Sequence, residues 1–250
     1  MRYHRQISLN GFDLAKQEKL FASRVVIIGA GGLGCSVAQY LCAAGVGHIS
    51  IIDQDSVELT NLQRQVLHTE ADIGSSKVSS AVSALAQINS ECELLALEQH
   101  LNGENANRLL ENYDLIVDCT DNIDARNVIN KAAYSLACDL VSGAAIRMEG
   151  QVFCVSPSHN SACYQCISAY FDNPQLSCSE AGIMSPIVGI VGALQALEGI
   201  KMLSDYGTVA LNSLMFFDGM HSEWHRFKVN KRPACDVCSR HPALVVGSVK

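Results

Sequence analysis

Four short apolar runs punctuate the first half of the chain, at 25–29, 49–53, 94–97 and 115–118. They are dense in Val, Ile and Leu with little polar alternation, the pattern of strands covered on both faces. Between them, apolar positions recur at helical spacing over 33–44, 77–88 and 104–111, and a further helix is expected to begin near Asp124. Strands alternating with helices predict a parallel, doubly wound α/β sheet. After Asp139 the rhythm changes. "DLVSGAA", "GQVFCVS", "SLMFFDG" and "EWHRFKV" read as strands with few helices between them, which predicts an antiparallel extension of the same sheet. A single domain over 1–250 is expected, with halves at 1–138 and 139–250. Residues 157–185 are polar and loop-like. The most apolar stretch, "GIMSPIVGIVGALQALEGIKML", is broken by Ser185, Pro186, Gln195 and Glu198, so its uninterrupted runs are too short for a bilayer. It reads as a buried helix with Ser185 as N-cap and Pro186 at the first helical position.

The first run ends in a glycine-rich turn, "VVIIGAGGLGCSVAQYL". Gly29, Gly31, Gly32 and Gly34 let the backbone approach a phosphate and let the helix pack on the strand, while the helix N-terminus offers free N–H groups to an anion. Asp53 ends the next strand at the spacing of an acid that binds ribose hydroxyls. The expected architecture is therefore a Rossmann-like nucleotide-binding sheet. These residues suit NAD and ATP equally.

The segment after the second strand bears on the choice. "DSVELTNLQRQVLHTEADIGSSK" brings Asn61, Arg64, Gln65 and Lys77 to this connection, at the carboxyl edge where doubly wound folds bind ligands. A dinucleotide pyrophosphate needs little more than a helix N-terminus and one cation. A triphosphate, with about four negative charges, needs several cations and a metal ion. Arg64 and Lys77 supply two, and "RYHRQ" offers Arg2 and Arg5. In "DLIVDCTDN" a buried strand runs into Asp118 and Asp121; one is expected to cap the next helix and Asp121 to hold a magnesium ion (Mg²⁺). Arg126 is either a phosphate or carboxylate contact or a surface salt-bridge partner.

Composition narrows the classes. The net charge of -7 argues against a general nucleic-acid binder. The N-terminal "MRYHRQISLN" has no apolar signal region. Of the 11 cysteines, Cys42, Cys119 and Cys154 sit inside apolar runs as small core side chains, which fits a reduced, cytoplasmic protein. Cys163 and Cys166, with Cys235 and Cys238, form two CxxC pairs. Four thiolates suit a closed tetrahedral zinc (Zn²⁺) site that ties the 157–185 loop to the C-terminal segment.

Together, "RYHRQ", "GAGGLG", "DQDSVELTNLQRQ", "DIGSSK", "DCTDN", "VSGAAIRMEGQ", "SEAGIMSPIVGIVGALQALEGIK" and the CxxC pairs, in this order from Arg2 to Cys238, resemble the HesA/MoeB/ThiF adenylyltransferases, relatives of ubiquitin-activating enzymes. "VSGAAIRMEGQ" is most similar to the MoeB branch. The resemblance implies ATP-dependent adenylation of the terminal glycine of a ubiquitin-like sulfur carrier (MoaD-like) in molybdenum cofactor biosynthesis, with 139–250 as the carrier-binding and zinc half. It implies that Gly32 lies in the nucleotide loop, that Asp53 holds ribose, that Asn61, Arg64 and Lys77 contact phosphates and that Asp121 binds Mg²⁺. It also implies that Arg5 reaches the neighbouring subunit's site in a homodimer. The apolar helix suits the dimer centre and an ordinary core equally. Cys178 matches a position where some members link the carrier covalently, and it also reads as an ordinary loop cysteine. With no room for a fused rhodanese domain, sulfur is expected from a separate donor such as a cysteine desulfurase or rhodanese. The alternatives are a ThiF-type enzyme acting on a ThiS-like thiamine carrier, an NAD-dependent oxidoreductase and a non-catalytic carrier-binding scaffold. No membrane or nucleic-acid partner is expected.

Overall fold

Eight strands form one sheet in the order β3-β2-β1-β4-β5-β6-β7-β8, in a computed structural model that describes residues 2–169 and 181–239. The strands are β1 (Arg24–Ile28), β2 (His48–Ile52), β3 (Glu93–Leu97), β4 (Leu115–Asp118), β5 (Asp139–Ile146), β6 (Glu149–Val155), β7 (Ser213–Asp218) and β8 (Glu223–Lys228). The helices are α1 (His4–Ile7), α2 (Leu14–Ala22), α3 (Gly32–Ala44), α4 (Lys77–Ile88), α5 (Ala106–Leu110), α6 (Ile123–Ser135), α7 (Tyr164–Ser168) and α8 (Ser185–Ser204).

β1 shows why the first half reads as continuous apolar runs. Val25 and Ile27 join a core with α3, α4 and α8 on one face. Val26 and Ile28 join a second core with α5, α6 and the four cysteines of the CxxC pairs on the other. A strand buried on both faces has no polar alternation to show. β1 to β5 run parallel, and β6 to β8 extend the sheet antiparallel. This corrects the expected boundary: "DLVSGAA" is the last parallel strand, with Asp139 opposite Leu115, rather than the first antiparallel one.

α8 also departs from expectation. Met184 is its N-cap, so Ser185 is already inside the helix and Pro186 occupies the second position, where its missing N–H costs nothing. Its 20 residues hold an 18-residue window of mean hydropathy 1.4, long and apolar enough to cross a membrane by length and composition, contrary to the sequence reading. In this fold Gln195 and Glu198 are buried along it. Gln195 Nε2 donates to the Asp118 carbonyl, and Glu198 accepts from Lys201 and from the Ala210 N–H. A bilayer would leave both side chains without those partners.

Candidate active site

The strand order reverses between β1 and β4, and a cleft of about 390 Å³ opens at their carboxyl ends. Gly29, at φ +98°, takes a conformation open to glycine, and a Cβ on Gly34 would lie 1.9 Å from the Gly29 carbonyl oxygen. These two are fixed by the turn and by helix–strand packing. Gly31 faces the cleft, where a Cβ would meet nothing closer than Gln65 at 3.8 Å. It is the N-cap of α3 with no side-chain cap, so the first-turn N–H groups are open to an anion.

The expected contacts surround this turn. Asp53 is fixed at its rim, accepting from the Ala30 N–H at 2.7 Å and from the Asp55 N–H at 2.8 Å. Asn61 closes a 3-10 turn by accepting from the Glu58 N–H, which leaves its Nδ2 as a donor. Arg64 is half-buried, and among the described residues its Nη1 donates only to the Thr60 carbonyl. Lys77, the first residue of α4, is buried, and its Nζ sits 2.8 Å from Asp55. Among the described residues, two buried polar atoms at the cleft have no partner: Gln65 Oε1 and Arg126 Nε. Arg126 Nη2 donates to the Thr120 carbonyl, and among the described residues no acid pairs with it. Of the two readings of Arg126, the structure therefore favours the cleft contact.

The two aspartates separate. Asp118 is buried and saturated, accepting from the Thr120 N–H and hydroxyl and from the Ser142 hydroxyl. Asp121 is exposed in the cleft and accepts no hydrogen bond among the described residues. Neither caps α6; Asn122 does, accepting from the Ala125 N–H at 2.8 Å. One free carboxylate beside a phosphate site fits Mg²⁺, which takes one or two protein carboxylates and draws its other ligands from substrate and water.

Arg2 and Arg5 are not brought to the cleft. Arg2 donates to the Ile88 carbonyl at the C-terminal end of α4, the end remote from Lys77. α1, which carries Arg5, is fastened by Gln6 to the Ala44 carbonyl at the C-terminal end of α3, a 13-residue helix whose N-terminus lines the cleft. At 1.5 Å per residue that is about 20 Å away. The sequence reading also passed over Gln99 and His100, which enter the cleft immediately after β3, and Asp55, the partner of Lys77. A position just past the carboxyl end of a parallel strand is the signal that would have found the first two.

Cys163, Cys166, Cys235 and Cys238 converge behind α6 with no exposed surface, their sulfurs all within 4.8 Å of one another. The contacts Cys163–Cys235 and Cys166–Cys238 are 3.5 Å, far beyond a disulfide bond. Tetrahedral zinc with 2.3 Å bonds sets sulfurs about 3.8 Å apart, so the cluster fits that ion. Cys178 lies outside the described residues.

The chain matches the ThiF family over residues 3–237. It is 43% identical to the molybdopterin-synthase adenylyltransferase of Salmonella typhimurium and 44% identical to that of Escherichia coli, over 96% of both partners in each case. The adenylyltransferase and sulfurtransferase MOCS3 of Anopheles gambiae is 44% identical over 97% of this chain, which spans 56% of that longer protein. Among solved structures, Escherichia coli MccB with ATP superposes with a TM-score of 0.83 at 26% identity, over 95% of this chain and 73% of that one. With a family model matched over nearly the whole chain and relatives aligned over 96% of their length, the chain belongs to the ThiF family of adenylyltransferases.

Proposed function

We propose that this chain adenylates the C-terminal glycine of a MoaD-like, ubiquitin-like sulfur carrier with ATP, for molybdenum cofactor biosynthesis. One observation carries the reading: Arg64, Lys77 and the open N-terminus of α3 face one cleft that also holds the free carboxylate of Asp121. That charge pattern suits a triphosphate better than a dinucleotide, and 43–44% identity to molybdopterin-synthase adenylyltransferases supports the carrier class. A carrier carboxylate oxygen attacks the α-phosphorus, the bond to the β-phosphate bridging oxygen breaks, and pyrophosphate leaves. The nucleophile is already ionised, so no general base is required. The chain's task is alignment and charge neutralisation. Asp53 orients the ribose, Asn61 Nδ2 and the α3 N–H groups hold phosphate oxygens, and Arg64 and Lys77 balance their charge. Asp121 would hold Mg²⁺, which supplies further neutralisation of the phosphates. The four cysteines would hold Zn²⁺ in a structural role.

The reading includes a cytoplasmic homodimer. Arg5, remote from its own cleft, acts in the neighbour's, and Met184, Ile190 and Leu197, exposed along α8, suit a subunit contact. Trp224 and Phe227, exposed on β8, suit the carrier. Sulfur arrives from a separate cysteine desulfurase or rhodanese.

ATP–pyrophosphate exchange tests the reaction. It is expected with the molybdopterin-synthase carrier and absent without it. Exchange with the thiamine carrier alone would move the protein to that pathway, and none with either would overturn the reading. Mixing Arg5→Ala and Arg64→Ala dimers tests the shared site: subunit exchange should restore about a quarter of the activity, because half the dimers then keep one intact site.

A further inference from the structure

His68 is buried behind the glycine turn, in a place the reaction does not need to reach. Its Nε2 lies 3.1 Å from the Ala30 carbonyl, and its Nδ1 2.8 Å from the Ser80 hydroxyl. A carbonyl only accepts, so Nε2 carries the proton, and in a neutral ring Nδ1 accepts from Ser80. The Cys35 sulfur is 3.8 Å from Nε2, but burial pushes that thiol up to about 12. The pair is therefore no thiolate nucleophile.

Those two bonds join three walls of the cleft. The His68 N–H donates to the Gln65 carbonyl, so the ring sits one turn from Gln65 and Arg64. Ser80 lies one helical turn from Lys77 on α4. Ala30 lies between Gly29 and Gly31, with its N–H held by Asp53 and its carbonyl by His68. In a trans peptide the carbonyl and the following N–H point in opposite directions, and no peptide among the described residues is cis. Pulling the Ala30 carbonyl inward turns the Gly31 N–H outward, and that N–H has no partner among the hydrogen bonds of the described residues.

We propose that His68 is a positioning residue for ATP: as a neutral ring it sets the Gly31 N–H toward the phosphates and holds the Arg64–Gln65 turn and α4 in register around them. The inference rests on the proposed ATP site. Charged groups bear on the ring from each element packed on it: Asp53 after β2, Asp72 in the following loop and Lys77 on α4, with Cys35 on α3 as a protonated neighbour. Burial is the dominant influence and holds the ring's pKa below the ordinary 6.5, ahead of the opposing pull of the Ala30 carbonyl and the aspartates. Because the unfolded ring binds its proton more readily, this corner is fully stable above 6.5 and loses stability as the pH falls from there through the lower folded value.

The test is titration calorimetry of Mg-ATP into the intact protein, with thermal unfolding recorded in parallel. His68→Ala and Ser80→Ala, which leaves the ring in place, are each expected to weaken binding by about tenfold, the scale of one unmade buried hydrogen bond. His68→Gln keeps a donor for Ala30 and should recover most of the affinity. Wild type should lose affinity as the pH falls below 6.5, while His68→Gln should show only the nucleotide's own titration. Wild-type affinity in both alanine variants, or the same acid limb in His68→Gln, would overturn the role of His68. If wild type itself fails to bind Mg-ATP, the ATP reading of the cleft falls, and this inference with it.

Discussion

β1 is buried at four of its five residues between α3 on one face and α6 on the other, whereas β8 is exposed along its whole length. The two strands share a sheet but differ in what holds them. Around β1 every neighbour is a strand or helix with its own apolar face, and the cleft at its end is already shaped: Asp53 is pinned to the turn, Asn61 is pinned by its backbone partner, and Asp118 is saturated. The far side of the sheet has fewer helices. Its C-terminal segment meets the α7 segment through four thiols, and α7 is fastened to α6 through bonds such as the Tyr164 N–H to Asn130 Oδ1. The nucleotide half is held by burial, and under the proposed Zn²⁺ site the other half adds a metal cross-link to its own burial.

The largest expected effect comes from that cross-link. Cys163→Ser leaves three thiols where four converge, and the protein should lose its zinc by metal analysis. The region around 229–239 should become cleavable by protease, while Mg-ATP binding at the β1–β4 cleft stays within a few-fold of wild type. Unchanged metal content would show that the thiols are packed without an ion. Loss of nucleotide binding together with the metal would show that the halves are not separable in this way.

Within the cleft, Arg64→Ala and Asp121→Ala should each lower pyrophosphate exchange by about 100-fold, the scale of one preorganised charge-stabilising group. Asp121 is exposed and Arg64 half-buried, and both make few internal bonds, so melting temperatures should stay near wild type. A large drop in melting temperature with either would make that residue part of the frame rather than of the chemistry. Asp118→Ala should do the reverse. It strands the Ser142 and Thr120 donors in a buried place and should cost about 1–3 kcal/mol of stability by denaturant unfolding. Equal stability loss in Asp118→Ala and Asp121→Ala would erase the division of labour between them.

That division was not legible in "DLIVDCTDN". Asp118 ends the buried strand and Asp121 follows three residues later, and the Ser142 hydroxyl, contributed by a strand 24 residues on, completes with Thr120 the saturation of Asp118. Asn122 as the α6 cap was legible in principle, because it has the cap residue type and stands directly before the helix, but the two nearby acids drew the assignment. The strands β1 to β4 and α4 were readable because each carries its own pattern and end signals. The glycine turn, Asp53, Arg64 and Lys77 were readable because a parallel strand puts its successor residues at one edge. Three features depended on distant partners. β5 is parallel because it pairs with β4, the Ala44 carbonyl holds α1 and so keeps Arg5 from its own cleft, and Asp55 meets Lys77 across 22 residues. Local pattern holds no record of such contacts.

The smallest effect lies at the seam, where β5 begins. Burial raises the carboxyl pKa of Asp139 above its ordinary 3.8, opposed by a hydrogen bond from Ser156 and by His159. A raised acid favours the protonated form in the fold, so its contribution is fully present below 3.8 and is lost as the pH rises through the folded value. At neutral pH an ionised Asp139 is therefore a modest burden at the point where the parallel set meets the antiparallel one. Asp139→Asn, which keeps the shape and removes the charge, should raise stability by less than about 1 kcal/mol at pH 7 and leave it unchanged near pH 3. Denaturant unfolding at the two pH values measures the difference. A loss of stability at pH 7 would mean that the charge is compensated by Ser156 and His159. The seam would then be held by polar contacts as well as by the ladder to β4, and the contrast between a half built on burial and a half built on specific links would begin at Asp139 itself.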